Sequence, residues 1–231
     1  MAVLFSGNTI EFTTSYFSTL TEYTVLAWIK VGAYNVNSSR FWSVGETSTS
    51  KLVYFGLDGT ASEIIFFSRP NGTSNPGSWA TTTDPAPIDT VVCAAVTYNN
   101  TSTSNDPIIY VNGASQSIVE NAAPATSGAI ATANYCILSR VAPTNLDATL
   151  YSVLVYNRIL SAAEILDAYN SKLAIPSWRG LVFAPQLWNV QDGAVLGSSN
   201  IIRDLVSGAA GVPSGSPVGR GDNVLRIEGI N

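Results

Sequence analysis

The sequence predicts an all-β, antiparallel two-layer sandwich carrying one short helix, and three observations predict it. Ten short apolar runs with period-2 character are separated by Gly, Pro, Asn and Ser clusters. Only one segment, YNRILSAAEILDAY at 156–169, has helical periodicity. Charged residues are 12% of the 231-residue chain against 46% apolar, with Ser, Thr and Asn supplying much of the remaining polarity. A chain of this length buries roughly 70–75% of its unfolded surface, enough for one large core.

The strands are expected at 2–5, 9–13, 24–31, 40–44, 52–57, 63–68, 91–98, 108–111, 135–139 and 148–156. In TVLAWIKV, Val25, Ala27, Ile29 and Val31 share one face, and Leu26 and Trp28 make the other face apolar too. That strand is therefore central and covered on both sides. Asn112-Gly113 tolerates positive φ and turns residues 108–119 into a hairpin. Stretches 69–90 and 99–107 read as rim loops. Ser161 caps the helix, with Glu164 three residues on completing a capping box. Ala162, Ile165, Leu166 and Tyr169 form its apolar stripe, which is expected to plug an open end of the core.

Four segments carry a resemblance to the laminin-G-like, concanavalin A-like jelly-roll superfamily: FTTSYFSTLTEYTVLAWIKV, VVCAAVTYNN, PIIYVNGA and DATLYSVLVYNRILSAAEILDAY, in that order. The resemblance implies a jelly-roll domain over residues 1–172. It leaves function open among lectins, glycosidases, adhesion modules and viral structural proteins. Modules of this kind often carry an acidic pair entering the last strand, where this chain has Leu150-Tyr151-Ser152. Calcium or acid-base roles borrowed from that pair lose their ligands.

Residues 173–231 are expected to form an extended C-terminal arm. GLVFAPQLW, IIRDLVSGAAG and SPVGRGDNVLRIEGIN resemble the opening strands of such a module, and Arg226-Ile227-Glu228-Gly229 parallels Leu4-Phe5-Ser6-Gly7. Either the module is circularly permuted, or the arm adds strands to its own sandwich or to a neighbour's. Leu181, Phe183, Trp188, Ile201, Leu205, Leu225 and Ile227 are the candidate assembly residues.

The chemistry read from the residues is non-enzymatic. There is no histidine, so Ser-His-Asp and Cys-His sites are excluded, and the sixteen acids contain no clustered pair of the glycosidase kind. No cofactor and no metal is expected. Eleven scattered basic residues against a net charge of −5 give no basic stripe for nucleic acid. The first basic residue is Lys30 and no long apolar run follows Met1, so synthesis in the host cytoplasm without a signal peptide and no membrane span are expected. Cys93 and Cys136, both within apolar runs, read as buried thiols, with a disulfide as the alternative.

Two functions remain. The tail resembles that of modules in tailed-bacteriophage virion proteins, which implies a capsid decoration or head-fibre protein on the virion surface. Its partners would be the major capsid protein or further copies of itself. The alternative is a carbohydrate-binding adhesion module for a cell-surface glycan, with Trp79, Asn71, Asn75 and Tyr34 as a sugar platform on the rim loops. Asn37, Asn71, Asn99 and Asn100 begin glycosylation sequons, and Arg220-Gly221-Asp222 forms an integrin-type tripeptide; turn-rich composition accounts for both.

Overall fold

The computed structural model describes residues 2–6, 9–13, 16–33, 39–45, 52–58, 63–70, 75–129, 135–138, 147–172, 174–187, 196, 202–214 and 218–220. The strands are β1 (Ala2–Ser6), β2 (Thr9–Thr13), β3 (Glu22–Ala33), β4 (Ser39–Gly45), β5 (Leu52–Leu57), β6 (Ile64–Arg69), β7 (Gly77–Thr81), β8 (Val91–Asn99), β9 (Ile108–Val111), β10 (Ala114–Ser115), β11 (Ile118–Ala122), β12 (Tyr135–Leu138) and β13 (Asp147–Tyr156). Helix α1 (Ala162–Asn170) follows, then β14 (Leu181–Phe183), β15 (Gly211–Ser214) and β16 (Val218–Arg220). They build two antiparallel sheets. The first runs β10-β9-β8-β3-β13-β1-β16 with β14 also on β13, and the second β11-β7-β6-β5-β4-β12-β2-β15. Among the described residues no helix is long and apolar enough to cross a membrane.

Strand β3 occupies the middle of the first sheet because both of its faces are apolar. Val25, Ala27, Ile29 and Val31 enter the core between the sheets, where they join Phe12, Phe17, Phe41, Trp42, Phe55 and Phe66. Leu26 and Trp28 point the other way, into a second cluster with Cys93, Ala95, Tyr110, Leu154 and Tyr156. Helix α1 covers this outer face rather than plugging an end of the sandwich. Ile165 and Ala168 are buried there, and Tyr169 stacks on Trp28 with ring centroids 5.8 Å apart. The stripe is accordingly Ile165, Ala168 and Tyr169, while Ala162 and Leu166 of the expected stripe are exposed. Leu166 instead leans over the β9–β10 turn, where Asn112 (φ 51°) and Gly113 (φ 83°) take the left-handed region that an Asn-Gly hairpin requires.

The helix cap forms as its sequence dictates. Ser161 Oγ accepts from Glu164 N at 3.3 Å, and Glu164 Oε2 accepts from Ser161 N at 2.8 Å. Replacing Ser161 with Ala is expected to lower stability by about 0.5–2 kcal/mol, read from urea denaturation. Unchanged stability would mean that the cap contributes nothing.

The tail folds back onto its own sandwich. Strand β13 pairs with β3 along one side; on the other, β1 takes its first half and β14 its end, through Val155↔Phe183 and Tyr156↔Leu181. Strand β16 forms the edge beyond β1, and β15 the edge beyond β2. Leu181 and Phe183 are buried within this chain, Leu181 in the cluster beneath α1 and Phe183 in the core between the sheets, as in the alternative in which the arm adds strands to its own sandwich. Leu205 is partly buried against the cluster beneath α1. Trp188, Ile201, Leu225 and Ile227 lie outside the described residues.

Cys93 and Cys136 are both free and buried. They belong to different clusters, Cys93 to the outer face of the first sheet and Cys136 to the core between the sheets, so a sheet separates them. Burial pushes the Cys93 thiol up to about 12 and the Cys136 thiol well above its ordinary range, as expected of inert core thiols.

The outer face of the second sheet carries Leu52, Tyr54, Ile65 and Ala80, with Phe67 packed against them. Tyr54 and Phe67, directly paired across β5 and β6, stack at 4.8 Å. The Arg40 guanidinium lies 4.3 Å over the Tyr54 ring, and that of Arg69 lies 5.7 Å from Phe67. In this ladder the ring faces are engaged by each other and by the guanidinium groups.

Candidate functional site

Trp79 does not offer a sugar-stacking surface, which corrects its expected role. Part of the stretch read as a rim loop is strand β7, hydrogen-bonded between β6 and β11. Its alternation turns Trp79 inward, where it is 1% exposed and lies against Phe66 and Tyr98. Its Nε1 donates to Asp106 Oδ1 at 2.9 Å, which satisfies the one polar atom that the ring buries. Gly77 makes room for the ring: a Cβ there would lie 2.2 Å from Trp79 Cη2. Asn75 is exposed at the rim and accepts from Ala125 N through its main-chain oxygen at 2.9 Å. Asn71 and Tyr34 lie outside the described residues.

The ends of β8 and β13 and the starts of β3 and β14 share one rim, which carries a network of polar side chains. Loop 99–107 leaves β8 there and is held by its own side chains. Asn99 Oδ1 accepts from Thr101 N at 3.0 Å and Thr101 Oγ1 at 2.6 Å, and Asn105 Nδ2 donates to Asn99 O at 3.0 Å. Asn99 Nδ2 donates to Glu22 Oε1 at 2.7 Å, tying the loop to β3. Asn100 is buried, with Nδ2 donating to Gly128 O at 2.7 Å, so its sequon amide is engaged inside the fold. Thr101, Ser104 and Asp106 are left exposed.

At the β13–β14 side of the same rim stands Trp178, 64% exposed. Its turn is rigidly built. Leu181 N donates to Trp178 O at 3.3 Å, and Gly180 takes φ 75° to close the turn. Asn157 N donates to Gly180 O at 2.8 Å and Arg158 Nε donates to Arg179 O at 3.0 Å, clamping the turn onto the end of β13. Arg158 is fixed in turn by Glu164, its Nη2 lying 2.7 Å from Oε1. That hydrogen bond, with the one from Ser161 N, holds the Glu164 carboxyl down at about 2. Thr24 Oγ1 accepts from Leu160 N at 3.0 Å and donates to Arg158 O at 2.8 Å, which locks segment 157–160 to β3.

An indole held in water on such a turn leaves roughly 150 Å² of ring surface uncollected, worth on the order of 4 kcal/mol on burial. In the same turn Arg179 is exposed and Ser177 is half-buried, its Oγ accepting from Arg179 N at 3.2 Å, and Asn157 is exposed at the end of β13 to which the turn is hydrogen-bonded. A flat apolar face on a turn whose residues also carry amide, hydroxyl and guanidinium groups suits a pyranose, whose C–H face stacks while its hydroxyls are hydrogen-bonded. The nearby acids are already engaged, Glu22 by Asn99, Asp106 by Trp79 and Glu164 by Arg158. Among the described residues no three His, Cys, Asp or Glu side chains are grouped to hold a metal ion.

A family model described as the concanavalin A-like lectin/glucanases superfamily matches residues 5–166. The chain belongs to this superfamily. No curated protein matches it in sequence. Among solved structures, this superfamily member is similar to the native heptameric SAP-like pentraxin of Limulus polyphemus, with a TM-score of 0.55 at 10% identity, over 73% of this chain and 81% of that one. It is similar to the CBM40 of the Ruminococcus gnavus IT-sialidase bound to α2,3-sialyllactose, with a TM-score of 0.52 at 11% identity, over 72% and 95%. It is also similar to botulinum neurotoxin type C, a protein that interacts with two ganglioside molecules, with a TM-score of 0.52 at 14% identity, over 75% of this chain and 45% of that one. At these identities the likeness shows the fold.

Sequence reasoning missed Trp178, Arg158, Arg179 and Asn157. The signal available was a tryptophan in a Pro-Ser-Trp-Arg-Gly turn, outside any alternating run.

Proposed function

We propose that this superfamily member is a non-enzymatic, lectin-like binding module that takes a glycan at the rim around Trp178. The observation that carries the reading is the indole itself: 64% exposed, on a turn fixed by hydrogen bonds to its main chain. Sialyllactose on the similar CBM40 and gangliosides on the similar neurotoxin support glycan binding for a sandwich of this shape. A glycan array followed by titration calorimetry tests it. Trp178→Ala is expected to weaken the best glycan tenfold or more while leaving the melting temperature in place, because the ring lies outside the core. Wild-type affinity in that variant would move the site elsewhere.

A structural virion protein of a tailed bacteriophage, docked on a capsid protein or on further copies of itself, is the second reading. It draws on exposed Val212, on edge strand β15, and on exposed Val206 in the preceding turn, where an open sheet edge offers strand pairing. Purified particles that carry the protein at stoichiometric copy number would favour it.

A further inference from the structure

We infer that the sugar seated on Trp178 is an acidic one, its carboxylate received by the Arg179 guanidinium; this rests on the lectin-like reading of the same turn. Arg179 follows Trp178 directly and is exposed with it. Its main-chain groups are used within the turn, N donating to Ser177 Oγ at 3.2 Å and O accepting from Arg158 Nε at 3.0 Å. Its guanidinium is the part left for a ligand, and no carboxylate among the described residues is paired with it. Arg158 beside it differs, because Glu164 at 2.7 Å already neutralises that charge. The turn therefore presents an exposed planar cation, paired with no carboxylate of the described residues, one position along from an exposed aromatic ring. A guanidinium fork matches a carboxylate in a way that it does not match a lone hydroxyl.

The rest of the chain sharpens this. With a net charge of −5, the long-range field does not attract an anion, so preference for one must come from short-range contact at a local cation. From β14 the rim crosses β13 and β3 to β8 and loop 99–107. Three strand spacings make this roughly 14 Å. An oligosaccharide with its acidic unit at Trp178 and Arg179 can run along the rim toward the hydroxyls of Thr101 and Ser104, where no added cation is needed.

The test uses the full chain and matched probes: an array of neutral and acidic glycans, then calorimetry with 3′-sialyllactose against lactose and with trigalacturonate against its methyl ester. Wild type is expected to prefer the carboxylated member of at least one pair about ten- to hundredfold, the range of a charged hydrogen-bonded contact. Arg179→Gln should erase the difference between the members of a pair, both measured on that variant, Arg179→Lys should keep part of it, and added salt should weaken the acidic member more than the neutral one. Equal affinity within both pairs, or a preference that survives Arg179→Gln, overturns the acidic assignment and leaves the lectin-like reading standing. No binding of any glycan by the wild type, neutral or acidic, removes both.

Discussion

A chain ending at Lys172 is expected not to fold. Strands β14, β15 and β16 come from the missing segment, and they fill one lane and one edge of the first sheet and one edge of the second. Phe183 sits edge-on to Phe12 at 5.1 Å and to Phe17 at 6.0 Å, and Leu187, Leu196 and Ile202 belong to the same core. Gly211 lies so close over Ile10 and the Phe12 ring that a Cβ there would come within 2.5 Å of Ile10 Cγ2. Removing four buried apolar side chains at about 1.5–3 kcal/mol each takes away about 6–12 kcal/mol, comparable with the whole stability of a domain. Near-ultraviolet circular dichroism of residues 1–172 should show no fixed tertiary signal and no cooperative melt. A separately made 173–231 segment should restore both. A truncated chain melting cooperatively at the full-length temperature would sink this account of the tail.

The parts of the fold legible in the sequence are those where local pattern and tertiary demand coincide. Strand β3 announced two covered faces because Leu26 and Trp28 alternate with Val25, Ala27 and Ile29. The capping box of α1 is a local device and formed as written. The face on which α1 lies was not legible, because the apolar outer surface of the first sheet is assembled from β3, β8, β9 and β13 and no single strand displays it. Strand β7 was hidden for a similar reason. Gly-Ser-Trp-Ala-Thr has loop composition and becomes a strand only between β6 and β11.

The two tryptophans Trp79 and Trp178 show how far a site can be read from residues alone. One follows Pro-Gly-Ser and the other Pro-Ser, yet only Trp79 is singled out by sequence, as a rim aromatic. Trp79 is drawn inward by strand pairing and by Asp106. Trp178 is followed by Arg179 and Gly180, and Gly180 at positive φ closes a turn with no strand partner for the indole to follow into the core. Long-range pairing, which composition does not encode, decides which ring meets solvent.

Replacing Asp204 with Ala is expected to be among the costliest single changes available in this chain. Asp204 is 1% exposed, yet no cation is paired with it among the described residues. Its carboxylate is held by donors. Oδ1 accepts from Ala184 N at 2.7 Å and Val206 N at 3.3 Å, while Oδ2 accepts from Ser207 N at 2.9 Å and from the Ser207 hydroxyl. Its own main chain closes the turn, with N donating to Ala209 O at 2.9 Å and O accepting from Gly208 N at 2.8 Å. One side chain thus fastens the residue after β14 to the turn that leads into β15. Alanine would leave the buried Ala184 N–H without an acceptor and remove the charge-assisted bonds to the turn, costing about 3–5 kcal/mol. For a chain of this size that lowers the melting temperature by on the order of 10 °C. Asparagine keeps the acceptor for Ala184 but turns an N–H₂ toward the Ser207 N–H, so it should fall between wild type and alanine. A Ser207→Ala variant, which removes the hydroxyl that donates to Asp204 and accepts from Ala209 N but leaves the Ala184 bond intact, should lose about 1–2 kcal/mol. Scanning calorimetry of the three variants reads the order directly, and an Asp204→Ala melting temperature equal to that of Ser207→Ala would refute the carboxylate as the fastening between β14 and the turn before β15.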